Sequence, residues 1–463
     1  MTPDTSRPDA LQPPAVVVDI VRKLQNAGYE TWCVGGAVRD ALLGIRNQDW
    51  DIATAAEPQL VRRMFSPVVP LGIAFGTVGV VDRFNVMHEV TTFRRDVQHD
   101  GRHAVVEFGA SFVEDLNRRD FTINAIAFDP VGQKLYDPFY GRDDLAAHVV
   151  RAVGVPIERF VEDRLRVLRG IRFAARFGFE IEPITWQAMV DSGPYLGRLS
   201  PERVKQELDK TLEQAATPSG AFLRWQQCGA FRTLIPALAH IRQGVLLAVD
   251  VLPHPLAAMT ASRRLYRRQL RLAALFSDLE ARDSVAAMKT LRASKAESAF
   301  VGALVERWQT LGAEMQQALT ATDLVSEAVL RKWAAAIGRV RVREFMRVAW
   351  ARWSGARAAP LQHVEDHAAS AGADGANFVA VPTAAAVRAV YRRLLHIAWN
   401  DAIEIADLVV DGDDLRVAGI PFGPQVGKIL AGLLARVVHD PAANTRETLL
   451  RLALQMYADR TDR

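Results

Sequence analysis

A glycine pair, an arginine and two closely spaced aspartates lie in one short stretch near the start of the chain. They are Gly35, Gly36, Arg39, Asp49 and Asp51. Where a strand ends at two glycines and a helix follows, the backbone can approach a phosphate closely, and a guanidinium in the first turn can bind phosphate oxygens. We predict a strand over the two aspartates, so both carboxylates leave one face and can hold Mg²⁺. Either piece alone is typical of a turn or a solvated strand end, but together they predict a metal-assisted phosphate site.

A third carboxylate on a neighbouring strand usually assists catalysis of this kind. Glu89 lies in the alternating segment 88–93, which predicts a strand. The residue is therefore a candidate for the catalytic set. A glutamate on the solvent face of an ordinary strand explains the same pattern, and both interpretations stay open.

A series of charged side chains at helical spacing forms the second candidate site. Its members are Glu162, Asp163, Arg166, Arg169 and Arg172. Asp163 and Arg166 are three residues apart, and Glu162 can pair with Arg166 and fix its orientation. A carboxylate only accepts hydrogen bonds and a guanidinium only donates them. Cytosine and adenine both present an amino donor beside a ring-nitrogen acceptor, whereas uracil and guanine do not, so this pair predicts selection of C and A without a nucleic-acid template. A salt-bridged surface helix is the alternative.

Between these two stretches, Arg119 and Asp120 begin a segment that we predict to be helical through Ile126. Arg119 suits a phosphate or sugar contact, and Asp120 can accept a hydrogen bond from a ribose hydroxyl. The alternative role for Asp120 is that of an N-cap for the following helix. The two roles are compatible with each other.

The elements that must position these residues change in character along the chain. Short β-branched or aromatic runs alternate with helical stretches over the first ~150 residues, and apolar residues recur at helical spacing from about Glu158 onward. The 463 residues carry a net charge of +4, and 49% of them are hydrophobic, a globular balance that excludes a disordered chain. Two distant cysteines, Cys33 and Cys228, predict no disulfide. We expect no membrane span, no signal peptide and a cytoplasmic location.

Taken together, these segments resemble the class II tRNA nucleotidyltransferases, which are the CCA-adding enzymes and their relatives the bacterial poly(A) polymerases. The resemblance is close over about residues 29–212 and weaker through 411–415 and 419–427. It implies an α+β fold, in which a polymerase-β-type nucleotidyltransferase head with a small mixed sheet precedes all-α domains. The implied division is a disordered N-terminus at 1–14, the head at 15–150, a neck with the nucleotide-selecting motif at 151–230, a body at 231–365 and a tRNA-binding tail at 366–463.

The resemblance also implies an activity, which is the addition of C and A from CTP and ATP to the 3′ end of tRNA. Asp49 and Asp51 match the Mg²⁺ ligands. The matched nucleotide-binding residues are Gly35, Gly36, Arg39, Arg119, Asp120, Asp163, Arg166, Arg169 and Arg172. Arg203 and Glu207 match a later motif that supports the nucleotide-selecting helix. The implied partners are the acceptor arm of tRNA, CTP and ATP, with no role for DNA or a membrane. A CC-adding or A-adding enzyme and a poly(A) polymerase remain alternatives, although segment 94–104, in the place of the flexible loop, is not obviously shortened.

Several features depart from the family pattern or carry weaker signals. Arg164 and Gly170 replace residues that are usually small or alanine, and glycine costs helix stability. Ser277-Asp278 stands where some relatives carry a His-Asp metal pair, so we expect no metal phosphohydrolase activity there. We predict that 411–414 is a turn and helix cap, and the pair His363 and His367 is a weak metal candidate. The remaining observations are the candidate linker 368–376 and the arginine clusters at 263–271, 339–352 and 392–393, which suit RNA phosphates or a solvated helix face.

Overall fold

The computed structural model describes residues 11–45, 49–72, 76–99, 104–252, 260–359 and 380–461. The chain divides into two compact units, one of Met1–Ala216 with Gly220–Ala239 and the other of Thr217–Ser219 with His240–Arg463. The first unit is mixed and the second is helical, which confirms the α+β expectation. Residues of the candidate linker, both histidines of the weak metal candidate and the tip of the expected flexible loop lie outside the described residues.

Eleven strands are found within the described part of the first unit. They are β1 (Thr31–Val34), β2 (Asp51–Thr54), β3 (Val68–Gly72), β4 (Thr77–Val81), β5 (Met87–Thr92), β6 (Arg94–His99), β7 (Ala104–Phe108), β8 (Ala127–Asp129), β9 (Lys134–Tyr136), β10 (Val149–Val150) and β11 (Glu180–Ile181). Seven of them form one sheet in the order β3-β4-β5-β2-β1-β8-β9, in which β2 and β5 are parallel and the other neighbours are antiparallel. An antiparallel pair, β6-β7, and a short parallel pair, β10-β11, stand apart from this sheet.

Helices up to residue 239 flank these strands. They are α1 (Ala15–Asn26), α2 (Gly36–Leu42), α3 (Pro58–Met64), α4 (Phe112–Asn117), α5 (Gly141–Ala146), α6 (Pro156–Glu162), α7 (Leu165–Phe177), α8 (Pro183–Ser192), α9 (Pro201–Gln214), α10 (Pro218–Gln227) and α11 (Ala230–Leu234). On the sheet, an apolar cluster that includes Val34, Phe93 and Phe112 is closed by Trp32, whose ring stacks on Phe112 at 5.2 Å.

Register within the sheet brings the first motif together. Val34, the last residue of β1, pairs with Asp51, the first residue of β2. The chain then turns at Gly35, which has a φ of 77°, and enters α2 at Gly36. The Gly-Gly turn and the aspartate are therefore neighbours across a strand pair, as the predicted strand–turn–helix requires.

Two predicted helices differ from the structure. Residues 121–126 form only a 3₁₀ turn at Thr122–Asn124 before β8, because Phe121, Ile123 and Ile126 are all fully buried and leave no polar helix face. The segment from 162 to 173 is not one helix either. Asp163 is extended, with φ −146° and ψ 104°, and its Oδ1 accepts a hydrogen bond from the N–H of Leu165, so it ends α6 and stabilises the start of α7.

The second unit consists of helices within its described residues. They are α12 (Gln243–Val251), α13 (Ala261–Leu275), α14 (Ala281–Thr290), α15 (Lys295–Thr320), α16 (Glu327–Ile337), α17 (Val342–Ala358), α18 (Ala384–Asn400), α19 (Gly412–Val417), α20 (Pro424–His439) and α21 (Arg446–Thr461). The last three pack around their own core, in which Leu415, Leu433 and Leu449 are fully buried. Asp411 caps α19 by accepting from the N–H groups of Asp413 and Asp414, which confirms the predicted cap. Among the described helices, none combines the length and apolar character needed to span a membrane.

Two of the arginines that suited RNA from their sequence spacing are buried inside this unit. Arg267 is 2% exposed and Arg271 is fully buried, and Arg271 donates to the carbonyl of Leu252. Burial, followed by the charge of Arg267, lowers the pKa of Arg271 to about 10. These two side chains therefore contribute to the interior rather than to an RNA-facing surface.

Asp278, in the position of the relatives' metal pair, binds two arginines of the helical unit. Its Oδ1 accepts from Arg352 at 2.6 Å and its two oxygens accept from Arg242 at 2.6 and 2.7 Å. The carboxylate thus neutralises two guanidinium groups, one of which, on Arg352, is largely buried.

Candidate active site

A cleft of about 590 Å³ in the first unit gathers the two candidate motifs. One wall comes from the Gly-Gly turn and the strand β2, and the other comes from α7 and α9. The predicted site residues that line it are Gly35, Gly36, Arg39, Asp49, Asp51, Arg119, Asp120, Asp163, Arg166, Arg169 and Arg203. Residues more than 100 positions apart in the sequence therefore share one concave surface.

The turn at Gly35 leaves little room for a side chain. A Cβ placed there would lie 3.0 Å from Nη1 of Arg119 and 3.6 Å from Oδ2 of Asp51. The positive φ of Gly35 also strains any other residue. Glycine is thus favoured mainly by the backbone conformation, and the nearby Arg119 side chain would have to shift slightly to admit a Cβ.

Three carboxylates converge on this wall. Asp51 begins β2, Asp49 is exposed just before it, and Glu89 occupies the corresponding position on the parallel strand β5, since Ile52 pairs with Val90. Asp51 and Glu89 both line a smaller neighbouring cavity of about 200 Å³. Burial, with smaller contributions from the charges of Asp49 and Glu89, raises the pKa of Asp51 to about 6, and the charge of Arg119 opposes this shift.

The donor set fits a hard divalent cation. Carboxylate oxygens are the ligands that Mg²⁺ prefers. Burial first, and then the charges of Asp49 and Glu89, disfavour the ionised form of Asp51, which a bound cation would stabilise. Asp49 and Asp51 are the residues that would hold it, with Glu89 beside them. Within the described ranges, no group of three or more His, Cys, Asp or Glu side chains stands in ready-made ligating geometry.

Arg39 is buried on α2, just after the Gly35–Gly36 turn. Its Nε and Nη2 donate to Oδ1 of Asp40 at 2.9 and 2.6 Å, and its Nη1 donates to Oδ1 of Asn124 at 2.5 Å. The guanidinium also lies over the rings of Phe173 and Phe177, 5.0 and 4.7 Å from their centroids. Burial lowers the pKa of Arg39, whereas the charge of Asp40 raises it. The side chain is held by the protein on several sides while it lines the cleft.

Arg119 and Asp120 approach the cleft from the chain that follows α4. Asp115, which is 1% exposed, pairs with Arg119 and with Arg118. Asp120 accepts from the N–H of Phe121 and from Arg169 Nε at 2.7 Å. The N-cap of the 3₁₀ turn is Phe121 and not Asp120, so the capping alternative is wrong.

The base-reading candidates are held in place from both sides. Asp163 Oδ2 accepts from Arg203 Nη2 at 2.7 Å. Arg166 donates through Nη1 to Glu162 at 2.7 Å and through Nη2 to the carbonyl of Arg118 at 2.5 Å. Although the helix breaks at Asp163, both Asp163 and Arg166 face the cleft. The pairing of Glu162 with Arg166 agrees with the spacing argument.

Arg172 and Glu207 lie outside the lining of the cleft. Arg172 is 3% exposed, and its Nε donates to Glu207 Oε2 at 2.7 Å. Its guanidinium also lies 4.3 Å from the centroid of Phe173, which does line the cleft. Arg172 thus joins α7 to α9 next to the cleft, and its expected place beside the nucleotide stays a prediction.

Five lining residues were not singled out from the sequence for this role. They are Arg118, Asn124, Leu165, Phe173 and Lys210. Two of them carry a helical signal that sequence analysis could have used. Lys210 is two turns beyond Arg203 on α9, and Asn124 is four residues after Asp120, to which its side chain donates at 2.9 Å. Phe173 has no such signal, because an aromatic residue on the apolar face of α7 is typical of a core.

Comparison with known proteins agrees with this site. Residues 31–151 match the poly A polymerase head domain, and residues 178–241 match the probable RNA and SrmB-binding site of polymerase A. The CCA-adding enzyme of Streptococcus suis (strain 05ZYH33) is 47% identical over 195 residues, and that of Streptococcus gordonii is 49% identical over the same length. Each alignment covers 42% of this chain and 48% of the relative, so the chain matches about half the length of these relatives.

Solved structures resemble the chain over nearly its whole length. The Bacillus stearothermophilus CCA-adding enzyme in complex with CTP has a TM-score of 0.70 and 27% identity, and the match covers 98% of this chain and 100% of that one. The Thermotoga maritima CCA-adding enzyme complexed with tRNA-CCA has a TM-score of 0.62 over 97% of each chain, and at 20% identity it shows the fold alone.

Two segments of the chain, 31–151 and 178–241, therefore match family models of poly A polymerases. Over 195 residues the chain is also similar to CCA-adding enzymes, in agreement with the resemblance of its motifs to the class II nucleotidyltransferases.

Proposed function

We propose that this protein adds C and A to the 3′ end of tRNA without a nucleic-acid template. The observation that carries the proposal is that Asp49 and Asp51 line the same cleft as Asp163 and Arg166. Asp49 and Asp51 can hold a divalent cation, and Asp163 and Arg166 can recognise C and A. In one cleft, both pairs can act on the same bound nucleotide. The named activity of the relatives supports the same assignment.

In this mechanism the residues of the chain orient the nucleotide. The Gly35–Gly36 turn and Arg39 bind the triphosphate, while Arg119 and Asp120 contact the sugar. The Asp163 carboxylate accepts from the exocyclic amino group of cytosine or adenine, and Arg166 donates to the adjacent ring nitrogen. Uracil and guanine present a carbonyl to the carboxylate and an N–H to the guanidinium, so both contacts become repulsive.

The reaction itself is an in-line displacement at the α-phosphate. The oxygen of the primer 3′-hydroxyl forms a bond to the α-phosphorus, the bond to the pyrophosphate oxygen breaks, and pyrophosphate leaves as the hydroxyl proton is lost. Mg²⁺ held by Asp49 and Asp51 would lower the pKa of the attacking hydroxyl and neutralise charge on the leaving group. Glu89 is the proposed third carboxylate. Arg203 fixes Asp163, and Glu162 fixes Arg166, so the two base-reading groups keep their orientation. With tRNA as the substrate, we place the protein in the cytoplasm.

The domain division proposed from the resemblance assigns the catalytic and base-reading residues to the head and neck and the acceptor arm to the helical body and tail. A CC-adding enzyme, an A-adding enzyme and a poly(A) polymerase would share the cleft described here. These enzymes differ in the number of nucleotides that they add.

Primer extension tests the proposal directly. Transcripts of tRNA that end at the discriminator base, at C or at CC are offered CTP, ATP, both, UTP or GTP, and the products are sized to single nucleotides. We expect growth to CCA that then stops, with UTP and GTP refused. Arrest after CC, extension only of the CC-ended substrate, or a long A ladder would reassign the enzyme within the family.

Matched variants connect the activity to the cleft. Asp51→Ala should abolish addition of both C and A while tRNA binding is retained. Asp129→Ala removes a carboxylate that ends β8, accepts from Gln25 and does not line the cleft, and it should extend primers as wild type does. Turnover by the Asp51 variant would contradict the mechanism.

A further inference from the structure

A buried carboxylate lies directly behind the phosphate-binding arginine. Asp40 is 3% exposed and does not line the cleft, so it does not touch a nucleotide bound there. Its Oδ1 accepts two hydrogen bonds from Arg39, and its Oδ2 accepts one from Arg176 Nη2 at 3.1 Å. Asp40 therefore stands between two guanidinium groups, one on α2 and the other on α7.

The hydrogen bonds of Arg39 divide its donors into two sets. A guanidinium has five N–H groups, of which Nε carries one and each terminal nitrogen carries two. Asp40 takes the N–H of Nε and one from Nη2, and Asn124 takes one from Nη1. Among the contacts of the described residues, one N–H on each terminal nitrogen is left for a ligand in the cleft, as the bidentate binding of a phosphate requires.

Arg176 links this arrangement to the base-reading helix. The guanidinium of Arg176 lies 4.7 Å from the ring centroid of Phe177, and the guanidinium of Arg39 lies 4.7 Å from the same centroid. Burial lowers the pKa of Arg39, the charge of Asp40 raises it, and the positive charge of Arg176 adds a smaller lowering. Arg39 and Arg176, both positively charged, thus contact the ring of Phe177, and the carboxylate of Asp40 between them offsets their repulsion.

We propose that Asp40 is a positioning residue for nucleotide binding: it sets the orientation of Arg39 toward the triphosphate, and through Arg176 it fixes the phosphate-binding helix α2 to the base-reading helix α7. The inference rests on the proposed binding of a nucleoside triphosphate in the cleft, but it does not depend on tRNA as the acceptor. The proposed role predicts that loss of Asp40 weakens binding of the triphosphate and leaves the preference among bases unchanged.

Equilibrium binding to the full-length protein tests this consequence without tRNA. Labelled CTP, ATP and UTP are measured with Mg²⁺, and inorganic triphosphate is measured as a competitor. The variants are Asp40→Asn and Arg176→Gln. The matched control is Asp144→Asn, because Asp144 is also a buried carboxylate, accepts from Arg151 and Thr122, and does not line the cleft.

We expect Asp40→Asn to weaken CTP, ATP and triphosphate by the same factor, about tenfold for the loss of charge-assisted hydrogen bonds that orient Arg39. The ratio of UTP to CTP affinity should stay at the wild-type value. Arg176→Gln should show the same pattern at about threefold, because Asp40 still holds Arg39. The control should bind all ligands within about twofold of wild type.

Other results overturn the inference. Wild-type affinity of Asp40→Asn for triphosphate would do so, as would a loss of CTP affinity that triphosphate does not share, or an altered base preference. If Asp40→Asn does not fold, the Arg176→Gln variant decides, since its side chain is a quarter exposed, and unchanged triphosphate affinity there refutes the coupling. Failure of the wild type to extend tRNA would reject the proposed function while leaving this binding result intact.

Discussion

The ion pair between Asp120 and Arg169 offers a sharp test of how the site is held together. Asp120 is 8% exposed, and its Oδ2 accepts from Arg169 Nε at 2.7 Å, while its Oδ1 accepts from the N–H of Phe121 and from Asn124 at 2.9 Å each. The charge of Arg169 and these hydrogen bonds outweigh the cost of burial and lower the pKa of Asp120 to about 2. We therefore expect Asp120→Asn to destabilise the fold as well as the site.

The magnitude follows from the shift of the pKa. A fall of the pKa from 3.8 to about 2 corresponds to about 2 kcal/mol of folding free energy at neutral pH, at about 1.36 kcal/mol per pKa unit. Because the pKa is lower in the folded state than in the unfolded state, this stabilisation is complete above the unfolded value of 3.8. It is lost as the pH falls from there toward 2, and about half remains at pH 3.

Urea unfolding of the wild type, Asp120→Asn, Arg169→Gln and the double variant measures the effect. At pH 7.5 we expect Asp120→Asn to lose about 2 kcal/mol, and we expect the double-mutant cycle to give a coupling of about 1–2 kcal/mol, since Arg169 is one-third exposed. The deficit of Asp120→Asn should shrink as the pH is lowered toward 3. A loss below about 0.5 kcal/mol at pH 7.5, or a deficit that grows with acidity, would refute the reasoning.

Three further predictions concern neighbouring residues. Arg203→Gln should lower the preference for CTP over UTP in steady-state kinetics by about threefold to tenfold, because Asp163 loses the donor that orients it; an unchanged preference would contradict this. Lys210→Met should weaken nucleotide binding by about threefold, less so at high salt, without changing the melting temperature; salt-independent loss would argue against a charge effect. Gly170→Ala should cost about 1–3 kcal/mol in urea unfolding despite alanine's helix propensity, because the new Cβ would lie 2.3 Å from Met189 Cε and 2.6 Å from Phe121 Cζ. Met189→Ala should cost less in the Gly170→Ala protein than in the wild type, where it leaves a cavity. A more stable Gly170→Ala protein would show that the site has room.

Local sequence signals predicted most of the first wall of the site, although β2 begins only at Asp51 and the predicted strand does not reach Asp49. The strand over 31–34, the turn at Gly35 and the helix that follows agree with the prediction, as does the cap at Asp411. These features depend on contacts between residues close in sequence, such as a positive φ that glycine accepts or a carboxylate that reaches an N–H two or three positions later. The resemblance of the motifs to a family likewise indicated the fold class from residue types and spacing alone.

Local signals were misleading where burial decides the conformation. Residues 121–126 are all buried, including the polar Thr122 and Asn124, and a segment buried on every side carries no periodicity that separates a helix from a turn and strand. At Asp163 the side chain bonds to the backbone and ends a helix, although the spacing of charges continues across the break. The resemblance implies that Arg172 lies beside the nucleotide, and this stays a prediction; the structure shows that Arg172 pairs with Glu207 and does not line the cleft.

Residue types and their order in the chain were thus enough to indicate the groups that could bind a phosphate, a divalent cation and a base edge. The structure was needed to show that these groups share one cleft, that Lys210 and Phe173 also line it, and that Asp40 connects α2 with α7. It also shows why Gly170 is not alanine, since Met189 and Phe121 fill the space beside it. Turns and caps depend on contacts within a few residues, so local sequence patterns mark them. A cleft depends on packing between segments more than 100 residues apart in the chain, and no regular spacing of residues marks such contacts.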